Sequence, residues 1–150
     1  MKIRILAAAL FFAGFACAGN QYTAALNEAQ AASYEQSASA SDTVIANAFA
    51  NHESHIQVQG QGIVMRLLAE DDSGSRHQKF IIRLASGQTL LIAHNIDLAS
   101  RIDSLRVGDS IQFYGEYLWN EKGGLIHWTH RDPAGAHAAG WLQYQGKRYQ

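Results

Sequence analysis

At His55 the hydrophobic period of the chain changes from 3.6 to 2, and this switch constrains the fold more than any other feature. In "HIQVQGQGIVMRLLAED", Ile56, Val58 and Gly60 alternate with glutamines, and then Ile63, Met65 and Leu67 share a parity. Gly60 and Gly62 lie at the shift, which predicts a long first strand that bends or bulges at glycine. "EDDSGSR" reads as a polar loop, and "HQKFIIRLA" as a second strand with Phe80, Ile82 and Leu84 on one side. Ser86-Gly87 marks a hairpin, with "QTLLIAH" returning as strand three.

The spacing of Leu98, Ile102 and Leu105 in "NIDLASRIDSL" predicts a helix, with Asn95 or Asp97 near its start. "RVGDSIQFYGEYLWN" turns at Gly108-Asp109 into strand four, setting Ile111, Phe113, Tyr117 and Trp119 on one face. "EKGG" is a further turn and "LIHWTH" is strand five. The tail "GWLQYQGKRYQ" can add a hairpin around Gln145-Gly146 that caps an open edge. Three strands, a short helix and two strands is the order of a five-stranded OB-like barrel. Before it, "SDTVIANAFANHESH" predicts a short amphipathic helix: Ser41 caps, Asp42 favours the positive end, and Val44, Ile45, Ala48 and Phe49 share a face. The expected fold is therefore mainly β, a small barrel over residues 42–150. The Ala/Ser/Gln-rich stretch 19–41 is expected to be a tether or a frayed helix, because it has few large apolar groups to bury.

Residues 1–18 have the layout of a signal peptide: a basic head at Lys2 and Arg4, an apolar run from Ile5 to Phe15, then small residues. The run is too short for a membrane span, and no transmembrane segment is expected in the mature chain. Ala16-Cys17-Ala18 fits type I cleavage before Gly19. "GFAC" offers the alternative of lipoprotein processing, in which Cys17 carries a membrane anchor. The expected location is periplasmic or secreted, with lipid anchoring in the envelope as the alternative. Cys17 is the one cysteine, so disulfide stapling and thiol catalysis are excluded. When Lys2 and Arg4 leave with the leader, the twelve basic residues fall to ten against thirteen acidic ones, a formal charge of −3. That balance argues against a dedicated phosphate-backbone binder but leaves room for a local basic groove.

"GSRHQKFIIRLASGQTLLIAHNIDLASRI", "GDSIQFYGEYLWNEKGG" and "IHWTHRDP" resemble a family of small exported bacterial proteins known as a domain of unknown function. The resemblance covers about residues 55–150 and implies bacterial origin and an envelope or secreted location. It implies no particular activity. Its motif positions here are Arg76, His77, Gln78, His94, Asn95, Asp97, Glu116, Tyr117, His127, Trp128, His130 and Asp132.

Histidine is the natural acid–base group near neutral pH and the commonest metal ligand, so His77, His94, His127, His130 and the neighbouring Glu116 are the candidate catalytic residues. On one regular strand His127 and His130 point to opposite faces, which weakens an H-x-x-H ligand pair. A divalent metal enters only if His77, His94 and one of His127 or His130 converge; otherwise no cofactor is expected. Each imidazole also fits a structural hydrogen-bonding role, and His52, His55 and His137 read as solvated. Asp97 fits a helix start, and Asp109 and Asp132 fit turns.

OB-type barrels bind oligonucleotides or oligosaccharides on the face of strands two and three. His77, Lys79 and Arg83 share the outward parity of strand two, and with Arg76, Tyr117 and Trp128 they are the candidate ligand contacts. The first functional reading is an exported module that binds a polymeric or anionic ligand, oligosaccharide or nucleic acid. The alternative is a histidine-based, metal-assisted hydrolase of a phosphoester or similar bond, with Arg76 stabilising developing negative charge.

Overall fold

The computed structural model of the chain describes residues 18–71 and 74–150, the side chains of 18–26, 34, 35 and 37–39 excepted. The leader read over residues 1–18, Cys17 included, lies outside the described residues except for Ala18. The chain divides into two compact units between Tyr34 and Glu35.

Helix α1 runs from Ala18 to Ala50, far longer than the short helix expected from Ser41. Ala, Gln and Glu are strong helix formers, and no Gly or Pro interrupts residues 20–50, so low hydrophobicity did not prevent helix formation. Ser41 and Asp42 therefore sit inside the helix rather than at its start. Asp42 is buried and accepts the Ser86 N–H at 2.9 Å, tying the helix to the turn between the second and third strands. Ile45 and Ala48 join the barrel core. The helix ends where His52 adopts φ 56°, with His52 N bonded to Phe49 O and Glu53 N to Ala48 O, a Schellman stop.

Seven strands follow: β1 Ile56–Leu67, β2 His77–Arg83, β3 Thr89–Asn95, β4 Ser110–Leu118, β5 Leu125–His127, β6 Trp141–Tyr144 and β7 Lys147–Tyr149. The sheet order is β1-β2-β3-β5-β4-β6-β7, and an added β1–β4 pairing closes the first five into a barrel. All pairings are antiparallel except β3–β5. This is the mainly β, OB-type ring read from the strand order. The tail hairpin forms as expected, turning at Gln145 (φ 48°) and Gly146 (φ 76°), and its short edge strand carries Lys147 and Arg148, which discourage edge pairing.

Two local expectations change. The irregularity in β1 falls between Val64 and Arg66, not at the glycines. Gly60 is instead a place of close approach: a Cβ there would lie 2.5 Å from Phe113 Cζ. The segment expected as a helix between β3 and β4 is a series of turns. Its polar backbone is claimed by side chains, since buried Gln78 takes the Ile102 N–H and donates to the Ile102 carbonyl, each at 2.9 Å. Asn95 Oδ1 accepts the Asp97 N–H, an Asx turn in place of a helix start. Ile102 and Leu105 still reach the core, while Leu98 remains 55 % exposed.

Candidate functional site

Strand register sorts the polar residues. Gln78 pairs directly across from His94, and both are buried, so neighbouring His77 faces outward. Alternation thus puts His77 and His94 on opposite sides of the sheet wall. His94 is fully buried; its Nδ1 lies 2.8 Å from Thr129 Oγ1 and its Nε2 3.3 Å from the Ser100 carbonyl. A carbonyl only accepts, so Nε2 carries the hydrogen and Nδ1 accepts from the threonine hydroxyl. Burial pushes the His94 pKa down to about 4, and positive charge on His130 or His77 acts in the same direction. His94 is a neutral structural imidazole at pH 7.

Strand β5 ends at His127, because Trp128 takes φ 49°, a rare conformation for a bulky residue. After that kink Thr129 and His130 are buried, whereas His127 stays on the outer wall. His130 Nδ1 donates to the Arg131 carbonyl at 2.6 Å. Outside, His127 pairs in register with Glu116, and Glu116 Oε1 lies 3.1 Å from His127 Nε2 and 2.9 Å from His55 Nδ1. The His127 ring stacks on Trp128 at 4.6 Å, Trp128 on His137 at 4.3 Å, and His137 meets His130 edge-on at 5.0 Å. His55 and His137, expected to be merely solvated, thus belong to a connected imidazole–indole array. The candidate catalytic residues do not converge on one point: His127 and Glu116 lie outside, His94 and His130 inside, and His77 on β2. Among the described residues, no group of three or more His, Cys, Asp or Glu is placed to hold a metal ion.

The cationic ribbon of β2 is partly neutralised. Arg76 Nε donates to Asp97 Oδ1 and Arg76 N to Asp97 Oδ2, both at 2.8 Å. These backbone and guanidinium bonds hold the Asp97 carboxyl below its usual range, a role different from the helix start expected for it. Lys79 Nζ and His77 Nδ1 each lie 3.2 Å from Asp71. Arg83 is exposed. Tyr117 is fully buried with its hydroxyl donating to the Gly123 carbonyl, so it is a core residue and contacts no surface ligand. Trp128 has imidazoles stacked against it and is an internal support rather than a free platform.

Between the outer face of β2–β3 and the β4–β5 loop lies a groove of about 440 Å³. Leu68, Ile81 and Leu91 give it an apolar floor, and Thr89, Asn120, Glu121 and Lys122 supply the polar groups. Its loop is fixed from within: Asn120 Oδ1 accepts the N–H groups of Lys122 and Gly124, while Gln88 and Tyr117 both donate to the Gly123 carbonyl. Asp109 and Asp132 act as the expected turn residues. Asp109 accepts from Tyr144 O–H and Arg106 N–H, which hold its carboxyl low, and Asp132 accepts from the N–H groups of Ala134 and His137.

A different surface covers β1, β4, β6 and β7. Register aligns Gln59 with Tyr114 and Tyr114 with Trp141, and in the next row Gln61, Gln112, Gln143 and Arg148. Tyr114 and Trp141 have ring centroids 6.1 Å apart, and the Arg148 guanidinium lies 4.3 Å over the indole. Sequence reading missed this face. The alternating glutamines of β1 and the aromatic residues Tyr114 and Trp141 were visible in the sequence, but the rows that join them come from strands remote in sequence.

Among the described residues no helix is long and apolar enough to cross a membrane. A search of the curated proteins gives no match to the chain. The family model described as "Protein of unknown function (DUF3465)" matches residues 29–150, which contain the whole barrel together with most of α1. The chain belongs to that family.

Proposed function

We propose that the protein is a non-enzymatic binding module, exported by its leader, that holds an oligosaccharide in the groove between β2–β3 and the β4–β5 loop. The carrying observation is the groove itself, with its apolar floor of Leu68, Ile81 and Leu91 and its internally braced polar loop. A sugar ring presents a C–H face to such a floor and hydroxyls to such a rim. A loop already ordered before binding lowers the entropic cost of association. The position is where OB-type barrels commonly take oligomeric ligands. Nucleic acid fits less well, because Arg76 and Lys79 are already occupied by Asp97 and Asp71.

The test is calorimetric titration of the mature protein with β-linked amino-sugar oligomers and with single-stranded DNA. Saturable oligosaccharide binding that falls at least about tenfold in Leu91→Glu, a loss of about 1.4 kcal/mol, supports the reading. DNA binding that weakens steeply with salt, with no sugar binding, overturns it. Export is checked separately by fractionating cells expressing the chain with and without residues 1–18.

A further inference from the structure

We infer that the outer face of β1, β4, β6 and β7 is a second ligand site, separate from the groove, for an acidic saccharide such as a uronic-acid oligomer. The argument starts at Arg148. It is exposed on the edge strand, and its guanidinium carbon lies 4.3 Å from the centre of the Trp141 ring. A guanidinium resting on an aromatic ring keeps N–H groups that can receive a carboxylate through two parallel hydrogen bonds. No ion pair to Arg148 occurs among the described residues, in contrast to Arg76 and Lys79.

The surroundings select the rest of the ligand. Gln143 lies directly across from Arg148, followed in register by Gln112 and Gln61. Side-chain amides both donate and accept, which matches the hydroxyls of a sugar rather than a run of phosphates. Tyr114 adds an aromatic surface beside Trp141 for the C–H face of a sugar ring. The carboxylate nearest this face along β4, Glu116, is engaged by His55 and His127. The face is therefore complementary to a ligand of low negative charge. A phosphate chain would need several cations in line, and here the row of glutamines ends in one arginine.

The experiment titrates the full mature chain with trigalacturonate, a neutral galactose trisaccharide and oligo-dT, followed by two-dimensional NMR of backbone and glutamine side-chain amides. Trigalacturonate should bind and shift signals of Gln112, Gln143 and Trp141. Arg148→Ala should weaken that binding at least about tenfold, and Gln143→Ala a few-fold. Leu91→Glu, on the groove, should leave it unchanged, so failure of the groove reading is separable from failure of this one. Equal affinity for the neutral sugar, binding indifferent to Arg148→Ala, or shifts produced by oligo-dT instead would each overturn the proposal. Because Arg148 is exposed, its removal leaves the fold intact, which the spectrum of the unliganded variant checks directly.

Discussion

The two outer faces of the barrel arise from the same alternation of inward and outward residues, yet they become opposite surfaces. At the start of β2 the cations Arg76 and Lys79 are met by carboxylates from neighbouring loops, Asp97 and Asp71, while Arg83 at its end stays exposed, and an apolar groove lies open on the same side. In the rows Gln59–Tyr114–Trp141 and Gln61–Gln112–Gln143 across β1, β4 and β6 the outward residues are amides and aromatics, and Arg148 at the margin lies over an indole rather than against an acid. Parity along a strand fixes which way a side chain points. The charge it finally presents is set by partners that strand parity does not contain.

Four perturbations break or sharpen this contrast. The largest effect is expected from Gly115→Ala. A Cβ at Gly115 would collide with the His127 carbonyl oxygen, a backbone atom that cannot move without parting β4 from β5. The expected loss is about 3 kcal/mol by urea denaturation, with binding at both faces affected because they share β4. If both faces persist unchanged in this variant, they are mechanically independent of that seam.

Next comes acid. His94 holds the seam from inside through Thr129, and its pKa is about 4 against an ordinary 6.5. Between those values the unfolded chain carries a proton that the folded chain refuses, so stability rises with pH and is lost as pH falls from about 6.5 towards 4. The full swing is about 3 kcal/mol. Melting temperatures at about pH 4.5 and pH 7 check the sign, and His94→Gln should flatten the difference.

Smaller is Lys122→Ala. It removes one polar group from the groove rim and should weaken oligosaccharide binding about threefold, while trigalacturonate binding at the opposite face stays unchanged. Smallest is the double substitution Asp71→Asn with Asp97→Asn. It should leave the melting temperature nearly unchanged, because the pairs are part-exposed and screened by solvent. It should release Arg76 and Lys79 and create weak, salt-dependent binding of single-stranded DNA, with a log–log slope of about −1.4 for two phosphate contacts. Absence of any DNA binding in that variant would show that ion pairing is not what separates the two faces.

Much of the fold was legible because β2 to β4 alternate cleanly, and because Ser86-Gly87 and Gln145-Gly146 are turn dipeptides with positive φ where needed. The helix expected after β3 was misread for a physical reason. Leu98, Ile102 and Leu105 have helical spacing, but Gln78, remote in sequence, satisfies the backbone of Ile102 and removes the need for a helix. Of the two readings of residues 19–41, tether or frayed helix, the helical one holds, because alanine's intrinsic preference outweighs poor burial. At the candidate site, the outward position of Glu116 was readable, but its bridging by His55 and His127 was not. Nor was the turn of His130 inward, since both depend on cross-strand register and on the Trp128 kink.

Strand β1 divides its length between two partners: Ile56 to Ile63 lie against β4, and Ile63 to Leu67 against β2. The hairpin of β2 and β3 closes across a short turn, whereas the first half of β1 must find residues as distant as Tyr117. Closing the ring therefore demands the most remote strand pairing in the barrel, the kind of contact that costs the most chain entropy to form.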